Sequence, residues 1–579
     1  MKKLFYIIPL LLAFSACSSE EEIQEFENNS SSTEKFESKY YFALDVTMPE
    51  EKTTRAETET SGNGSTEGEV AASDNEMKLK TAEMYLVDDD YNVLASFTTA
   101  GTTDYNTDIT DGTEDKLHTV YVEVKASELM AILKQKKNVS IIMVGNFSDG
   151  STTNSGIASA GFTTSSNISD LKAKTFSTTL GTAPLASFAT NVGNIMPLVS
   201  TKAVPMQAFN ALTSLVTETP DDNAILTAIR GLFTANTTYA GSNEDILDAK
   251  NKNNLYTYVL NIDLERAVAR VDYKDRSSSA RGSLGEFQYQ IGKTGNMSDF
   301  IIELDHINVY NLPQTSYLFR HTIVGTSSAA TTQEVTLFGD ERGTVSTAYN
   351  WVMSPTWEYN SDKYGISASA SYQNPLLSSG KYQSSWSSGS VSVATMKLNT
   401  NYYKVDPTDY TPCCYIPENT IPQTALMTTT NLEKYATGVA FTFRLRNKLN
   451  TDFLKASDGA DKYPSGVSVS TTTTGALTLT MPNGEWIDVT PTNSTDGYYE
   501  LTYYGFLNHN NGSTTSSGSE ITNAEGLSAM HFAVVRNNAY QCMISRIENL
   551  PDPQNPKQLY LQLEVTVKPW VKRSNEFIF

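Results

Sequence analysis

A strict two-residue alternation at both ends of the chain constrains its fold more than any other feature. Near the start the sequence reads Tyr40-Tyr41-Phe42-Ala43-Leu44-Asp45-Val46-Thr47-Met48-Pro49. Successive side chains of a strand point to opposite faces, so Tyr40, Phe42, Leu44, Val46 and Met48 form one apolar row that needs a groove. Near the end Leu559, Leu561, Leu563, Val565 and Val567 alternate with Tyr560, Gln562, Glu564, Thr566 and Lys568. This second row follows Leu550-Pro551-Asp552-Pro553-Gln554-Asn555-Pro556-Lys557, an arm whose prolines keep it out of a sheet interior. Burying its apolar side chains is worth about 7 to 15 kcal/mol gross, at about 1.5 to 3 kcal/mol each. Pro569-Trp570 then resets the register, and Val571 to Phe579 is expected as one more strand.

Behind the first row the chain turns polar, with Glu50-Glu51-Lys52-Thr53-Thr54-Arg55-Ala56 followed by Gly, Ser, Thr and Glu as far as Asn75. A loop of that composition carrying Arg55 is a place where a protease cuts. The first row therefore reads as a removable plug, released by a cut between Arg55 and Ala56. The last row of another copy is expected to take its place, so that both answer to a single hydrophobic slot. The plainer alternative is a first strand that stays in its sheet.

With 579 residues the chain exceeds one hydrophobic core, and two or three domains are expected. Its 43 basic against 65 acidic residues give a formal charge of -22, which argues against nucleic acid and anionic membrane surfaces as partners. Charged residues are only 19% and aromatic residues 10%, among abundant Ser, Thr, Asn and Gly. That is the composition of twisted sheets with polar outer faces, and the class is mostly β.

Taken in order, Thr81 to Val87 and Val93 to Phe97 read as strands around a turn at Asp88-Asp89-Asp90-Tyr91-Asn92, which lacks the spaced ligands of a calcium loop. Thr119 to Lys125 and Val139 to Val144 are strands flanking a Ser127-capped helix to Gln135, and Ser148 to Thr190 reads as surface excursions. A helix is expected over Ala224 to Phe233 and a long strand from Tyr256 to Asp272, where the first domain ends. Arg276 to Gly282 reads as a linker or loop. Strands resume at Phe300 to Asn311, Cys414 to Pro417, Thr437 to Arg446, Tyr498 to Phe506 and Val534 to Ile547, with no long amphipathic helix, which favours β-sandwiches. Among Cys413, Cys414 and Cys542 a Cys414–Cys542 bridge is one option, and buried apolar fillers the other. The chain divides accordingly into a signal (1–17), a tether with the removable strand (18–55), two sandwich domains (56–272 and 273–549) and the arm with its donor strand (550–579).

The opening Met1-Lys2-Lys3, the apolar Leu4 to Phe14 and Ser15-Ala16-Cys17 resemble a bacterial lipoprotein signal, in which Cys17 becomes the acylated, palmitate-bearing first residue. Ser18-Ser19-Glu20-Glu21-Glu22 resembles the acidic tag that routes some lipoproteins to the outer face of the outer membrane. Further strings resemble one family: Val46-Thr47-Met48-Pro49 before Thr54-Arg55-Ala56, and Glu265-Arg266-Ala267-Val268-Ala269-Arg270. With them go Tyr503-Tyr504-Gly505-Phe506-Leu507-Asn508, Val535-Arg536-Asn537-Asn538-Ala539-Tyr540 and Leu563-Glu564-Val565-Thr566-Val567-Lys568-Pro569-Trp570. The chain is similar to the fimbrillins, lipoprotein subunits of type V pili, and above all to the structural subunit of short, Mfa-type fimbriae. The resemblance implies two tandem transthyretin-like β-sandwiches, trimming after Arg55 by a trypsin-like or gingipain-like protease, and donor-strand exchange. Tyr40 to Met48 would be the expelled strand and Leu559 to Phe579, with Trp570, the donor; Lys52 is the alternative cut. Implied partners are identical subunits, minor tip and anchor subunits and an unidentified surface ligand, on a cell-surface fimbria built from an outer-membrane lipoprotein precursor.

An enzyme is not expected, because His118, His306, His321, His509 and His531 are dispersed and no HExxH, Gly-rich phosphate loop or GxSxG occurs. No metal or cofactor is implied. The rival readings are a surface glycan-binding lipoprotein of an outer-membrane uptake system using Trp351, Trp357 and Trp386 as stacking platforms, and a tip or anchor subunit of the same family.

Overall fold

The computed structural model describes residues 38–47, 70–71, 76, 79, 81–98, 118–147, 159–177, 197–239, 243–291, 299–313, 315–324, 334–338, 350–355, 372–373, 396–397, 409–420, 436–449, 452–455, 457–471, 477–480, 486–489, 497–509, 532–548 and 561–571. The chain is mostly β, with two tandem sandwiches and a few short helices. In the first sandwich the strands follow the order Val93–Thr98, Ala82–Val87, Ser140–Gly145, Leu198–Ser200, Leu255–Arg266, Lys39–Thr47, His118–Val124. Leu255–Arg266 joins its two halves, pairing first with Lys39–Thr47 and at its end with Leu198–Ser200. The sheet folds over across this strand. Phe42 and Phe97, remote in strand order, bring their ring centroids to 6.5 Å. Between the halves lie Phe42, Leu44, Val46, Met84, Val122 and Ile262, closed by helices Ala126–Leu133 and Asp222–Arg230 through Leu133 and Ile229.

The second sandwich packs the sheet Val70–Ala71, Leu561–Val571, Asn538–Ile547, Val268–Lys274, Thr411–Pro417 onto the sheet Gln288–Gln290, Phe300–Tyr310, Gly438–Asn447, Glu500–Phe506. Tyr273 and Phe441 meet across the gap at 5.6 Å between ring centroids. The inward row of each strand supplies the core, including Val271, Tyr289, Ile302, Phe443, Tyr503, Tyr540 and Ile544.

Several local expectations change. Val268–Lys274 pairs with Thr411–Pro417 and Asn538–Ile547, so the chain crosses between sandwiches at Ala267 and not after Asp272; a long alternating run can change sheets without a break in its pattern. Arg276 to Gly282 is no linker: it holds the short helix Ser278–Arg281, and the Arg276 guanidinium lies 4.3 Å from the Tyr289 ring centre. Within Ser148 to Thr190, Phe162, Leu171 and Phe176 are buried, their isolated apolar side chains outweighing the polar composition around them. The first helix starts at Ala126 from Lys125 with no side-chain cap, whereas Asp221 caps Asp222–Arg230 by accepting from Asn223 and Ala224 N–H. The strand expected from Val534 begins at Asn538, because Asn537 takes a left-handed φ of 55°. The last strand runs Leu561–Val571 straight through Pro569-Trp570, with Pro569 opposite Asn538. Cys413 and Cys542 are buried thiols outside any disulfide, which removes the Cys414–Cys542 option.

Buried charge joins the two sandwiches. Arg270 makes a bidentate pair with Asp272 at 2.7 and 2.9 Å and reaches the Glu76 carboxylate at 2.9 Å, while Arg266 donates to the Glu76 carbonyl and to Asn537 Oδ1, both at 3.1 Å. Arg536 donates to Glu418 at 2.9 Å and to the carbonyls of Leu318 and Tyr317 at 2.8 and 2.6 Å. Arg320 pairs with Glu265. Around these, Tyr85, Ile142 and Val144 from the outer face of the first sandwich pack with Leu318, Phe319 and Tyr415. Such pairs add little net stability over an apolar filling, but removing one partner strands a charge, at about 3–5 kcal/mol. Arg536→Ala is therefore expected to lower the urea-unfolding free energy by about 3–5 kcal/mol. A loss below about 1 kcal/mol would mean that Glu418 is not held by this arginine alone.

Candidate functional site

The site consists of the first strand, the seat of the last strand, and the chain that links them. Lys39–Thr47 lies inside the first sandwich, parallel to Leu255–Arg266 along its whole length and antiparallel to His118–Val124 from Tyr40 to Val46. Its inward row is Phe42, Leu44 and Val46, all buried, with Tyr40 half-buried against Phe233 and Tyr256 at 5.3 and 5.7 Å between ring centroids. The outward row is buried as well. Tyr41 packs with Tyr239 and with Ile246 and Ala249 of helix Glu244–Asn251, and the Asp45 carboxylate accepts from Thr119 Oγ1 at 2.7 Å. Tyr41 donates to Glu123 at 3.3 Å; burial and then the Glu123 charge push its phenol well above the usual range, so it stays a donor. Thr47 Oγ1 donates to Asp263. The sequence row thus identified the inner face and missed the outer one, since Ala43 and Asp45 carry no apolar signal.

Withdrawing this strand would leave its two neighbours about 10 Å apart, twice the ~4.8 Å spacing of paired strands. That gap takes one strand. Phe42, Leu44 and Val46 alone represent about 5–9 kcal/mol of burial at ~1.5–3 kcal/mol each.

The last strand is held differently. Leu561–Val571 pairs antiparallel with Asn538–Ile547, from Leu561 opposite Ile547 to Pro569 opposite Asn538. Leu561 is buried in the second core, whereas Leu563, Val565 and Val567 are only partly covered by it, and Glu564 faces solvent. Leu563 sits over Gly505, where a Cβ would come within 2.6 Å of Leu563 Cδ2. The opposite edge carries Val70–Ala71, parallel to Trp570 and Val571. Within one chain each apolar row is registered against a different core, so the expected sharing of one slot concerns two copies of the chain.

Cys17, Met48, Lys52, Arg55, Ala56 and Leu559 lie outside the described residues, as do Trp357 and Trp386; of Trp351 and Trp570 only the backbone is described. Four of the family-like strings meet in two pairs. Arg266 reaches Asn537 beside the Arg270, Asp272 and Glu76 cluster, and Gly505 seats Leu563 of the last strand. The sequence marks Glu76 only as the approximate start of an ordered domain and gives no sign of its buried ion pairs or of the pairing of Val70–Ala71, a short apolar step in a polar stretch.

The seat can be probed separately from the slot. Gly505→Val is expected to displace Leu563 at a cost of about 1–3 kcal/mol. Limited proteolysis should then cut within 561–571 several-fold faster while 39–47 stays protected. Equal cutting of both segments would show global unfolding and contradict a local seat.

Residues 498–576 match the family model described as major fimbrial subunit protein type IV, fimbrillin, C-terminal, a span containing Glu500–Phe506, Asn538–Ile547 and Leu561–Val571. Comparison with curated protein sequences gives no match. Among solved structures the chain is similar to a protein from Parabacteroides distasonis provisionally described as a cell adhesion protein, at 13% identity, covering 92% of this chain and 99% of that chain with a TM-score of 0.38. A protein from Bacteroides eggerthii of the same provisional description matches at 10% identity, 94% and 99% coverage and a TM-score of 0.31. The tip fimbrial protein Mfa3 from Porphyromonas gingivalis matches at 11% identity, 87% and 98% coverage and a TM-score of 0.29. The fimbrillin resemblance carried by the sequence strings is thus met by a fimbrillin family match over residues 498–576.

Proposed function

We propose that the chain is a structural subunit of a cell-surface fimbria that supports adhesion, polymerised by donor-strand exchange. In this reading residues 1–17 export it as a lipoprotein acylated on Cys17, and a trypsin-like protease cuts between Arg55 and Ala56. The freed segment 18–55 takes the first strand, Tyr40 to Met48, out of its slot. The arm and strand of a second copy, within 550–579, then enter between His118–Val124 and Leu255–Arg266. The two sandwiches, between which the chain crosses at Ala267, form the body of the subunit, and minor tip and anchor subunits end the polymer.

The observation that carries this reading is the contrast between the two strands. The first is buried on both faces and paired on both edges. The last is paired along one edge and, among the described residues, only at Trp570 and Val571 along the other, and its Leu563, Val565 and Val567 are only partly covered. Moving the last strand of one copy into the emptied slot of another completes the burial of those side chains, at about 1 kcal/mol each, and adds a second ladder of backbone hydrogen bonds. Thr119 and Glu123 line the outward side of the slot, where the polar alternate residues of a donor would lie. Because the slot stays filled until the cut, polymerisation through open edges is blocked before export is complete.

The test uses the purified full-length precursor. Trypsin-like cleavage should turn monomer into ladders that survive mild heating in detergent. Arg55→Ala with Lys52 also replaced should stay monomeric, and deletion of 559–579 should abolish filaments by electron microscopy. Filaments from the deletion variant would contradict the donor role of the last strand.

A further inference from the structure

The last strand has two unlike ends. At Leu561 it is tied to Asn538–Ile547 through the connecting residues, whereas Trp570 and Val571 form the far end of that hairpin, where an edge strand begins to peel. Its second edge is paired, among the described residues, only there: Val70 lies opposite Trp570 and Ala71 opposite Val571, in parallel register. A two-residue parallel pairing is too short to hold by itself. It needs a root.

That root is Glu76. Its carboxylate accepts from Arg270 at 3.0 and 2.9 Å and from the Tyr415 hydroxyl, and its carbonyl accepts from Arg266 at 3.1 Å. Glu76 is buried, and Leu79, three residues on, is packed into the first core beside Gly145. Only residues 72–75 separate the fixed Glu76 from the pair at 70–71, so the two residues are held close to the strand edge at high effective concentration. A cut at Arg55 lies before this whole assembly and leaves it attached.

We propose that Val70–Ala71, rooted at Glu76, is a clasp that keeps the last strand in its own sandwich until a partner slot is available. The functional consequence rests on the donor-strand reading; the clasp itself does not. It closes the edge at the position where peeling starts. It also survives maturation, so that cutting prepares the acceptor slot without releasing the donor. The mature subunit then exchanges its strand at a rate set by clasp opening.

Hydrogen exchange followed by mass spectrometry on the uncut full-length precursor tests the clasp without any polymerisation. The double substitution Val70→Pro with Ala71→Pro removes the backbone donors of the pair. It should raise exchange within 561–571 about tenfold, as loss of one or two backbone hydrogen bonds does, while 39–47 keeps its protection. Glu76→Gln, which keeps the shape and drops the charge, should raise exchange at 561–571 in the same direction. Unchanged exchange at 561–571 in the double-proline variant overturns the proposal. After Arg55 cleavage the variant should also form ladders several-fold faster than the parent. If cleaved protein of either kind forms no ladder although exchange has risen, the clasp stands and the donor-strand reading fails.

Discussion

A strand enclosed on both faces and bonded along both edges is the constraint on which the first sandwich depends. Lys39–Thr47 sits between Leu255–Arg266 and His118–Val124 in a sheet that folds over on itself, so Phe42 touches rings from several elements, at 5.9 Å from Phe233 and 6.0 Å from Tyr258. Such a strand cannot be lost gradually. Its covalent link to the rest of the chain runs only through the residues after Thr47, and a cut there leaves it held by non-covalent contacts alone. The energy of those contacts, several kcal/mol, is enough to keep the slot closed and small enough for another strand with better terms to replace it.

Better terms come from the state of the last strand. It is a side-covered edge in its own sandwich, and its chemistry would be more fully satisfied in a central position. Metastability of this kind needs a rigid frame, because a subunit that flexes at its middle would let both strands fray. The seam supplies that frame. Arg266, Arg270, Arg320 and Arg536 are buried opposite Glu76, Glu265, Asp272 and Glu418, and burial, helped by the Arg270 charge, pulls the Arg266 guanidinium down to about 10 despite the nearby Glu76. Charges in such places fix one docking geometry, since any other leaves one of them without its counter-ion.

Much of this was legible in the sequence, and for definable reasons. Alternating rows with clear turns, such as Phe300–Tyr310 and Glu500–Phe506, fell where period-two patterning put them. The family-like strings include residues with demanding geometry: Asn537 turns left-handed, Arg536 spans to Glu418, and Gly505 leaves room for Leu563. What stayed hidden was anything set by distant partners. Ala267 looks like the middle of one strand because the pattern continues while the sheet changes. Phe162 and Phe176 look like surface because their neighbours are polar. The separation of the two apolar rows into different cores could not be read from either row, since each states only that it needs a groove.

The most direct measurement is a filament reconstruction at side-chain resolution, looking at what lies between His118–Val124 and Leu255–Arg266. The account predicts residues from 561–571 of an adjacent copy there, with Leu563 and Val565 facing Met84 and Ile262, and nothing of 39–47. Density for Tyr41 and Phe42 still in place within an assembled filament would contradict it.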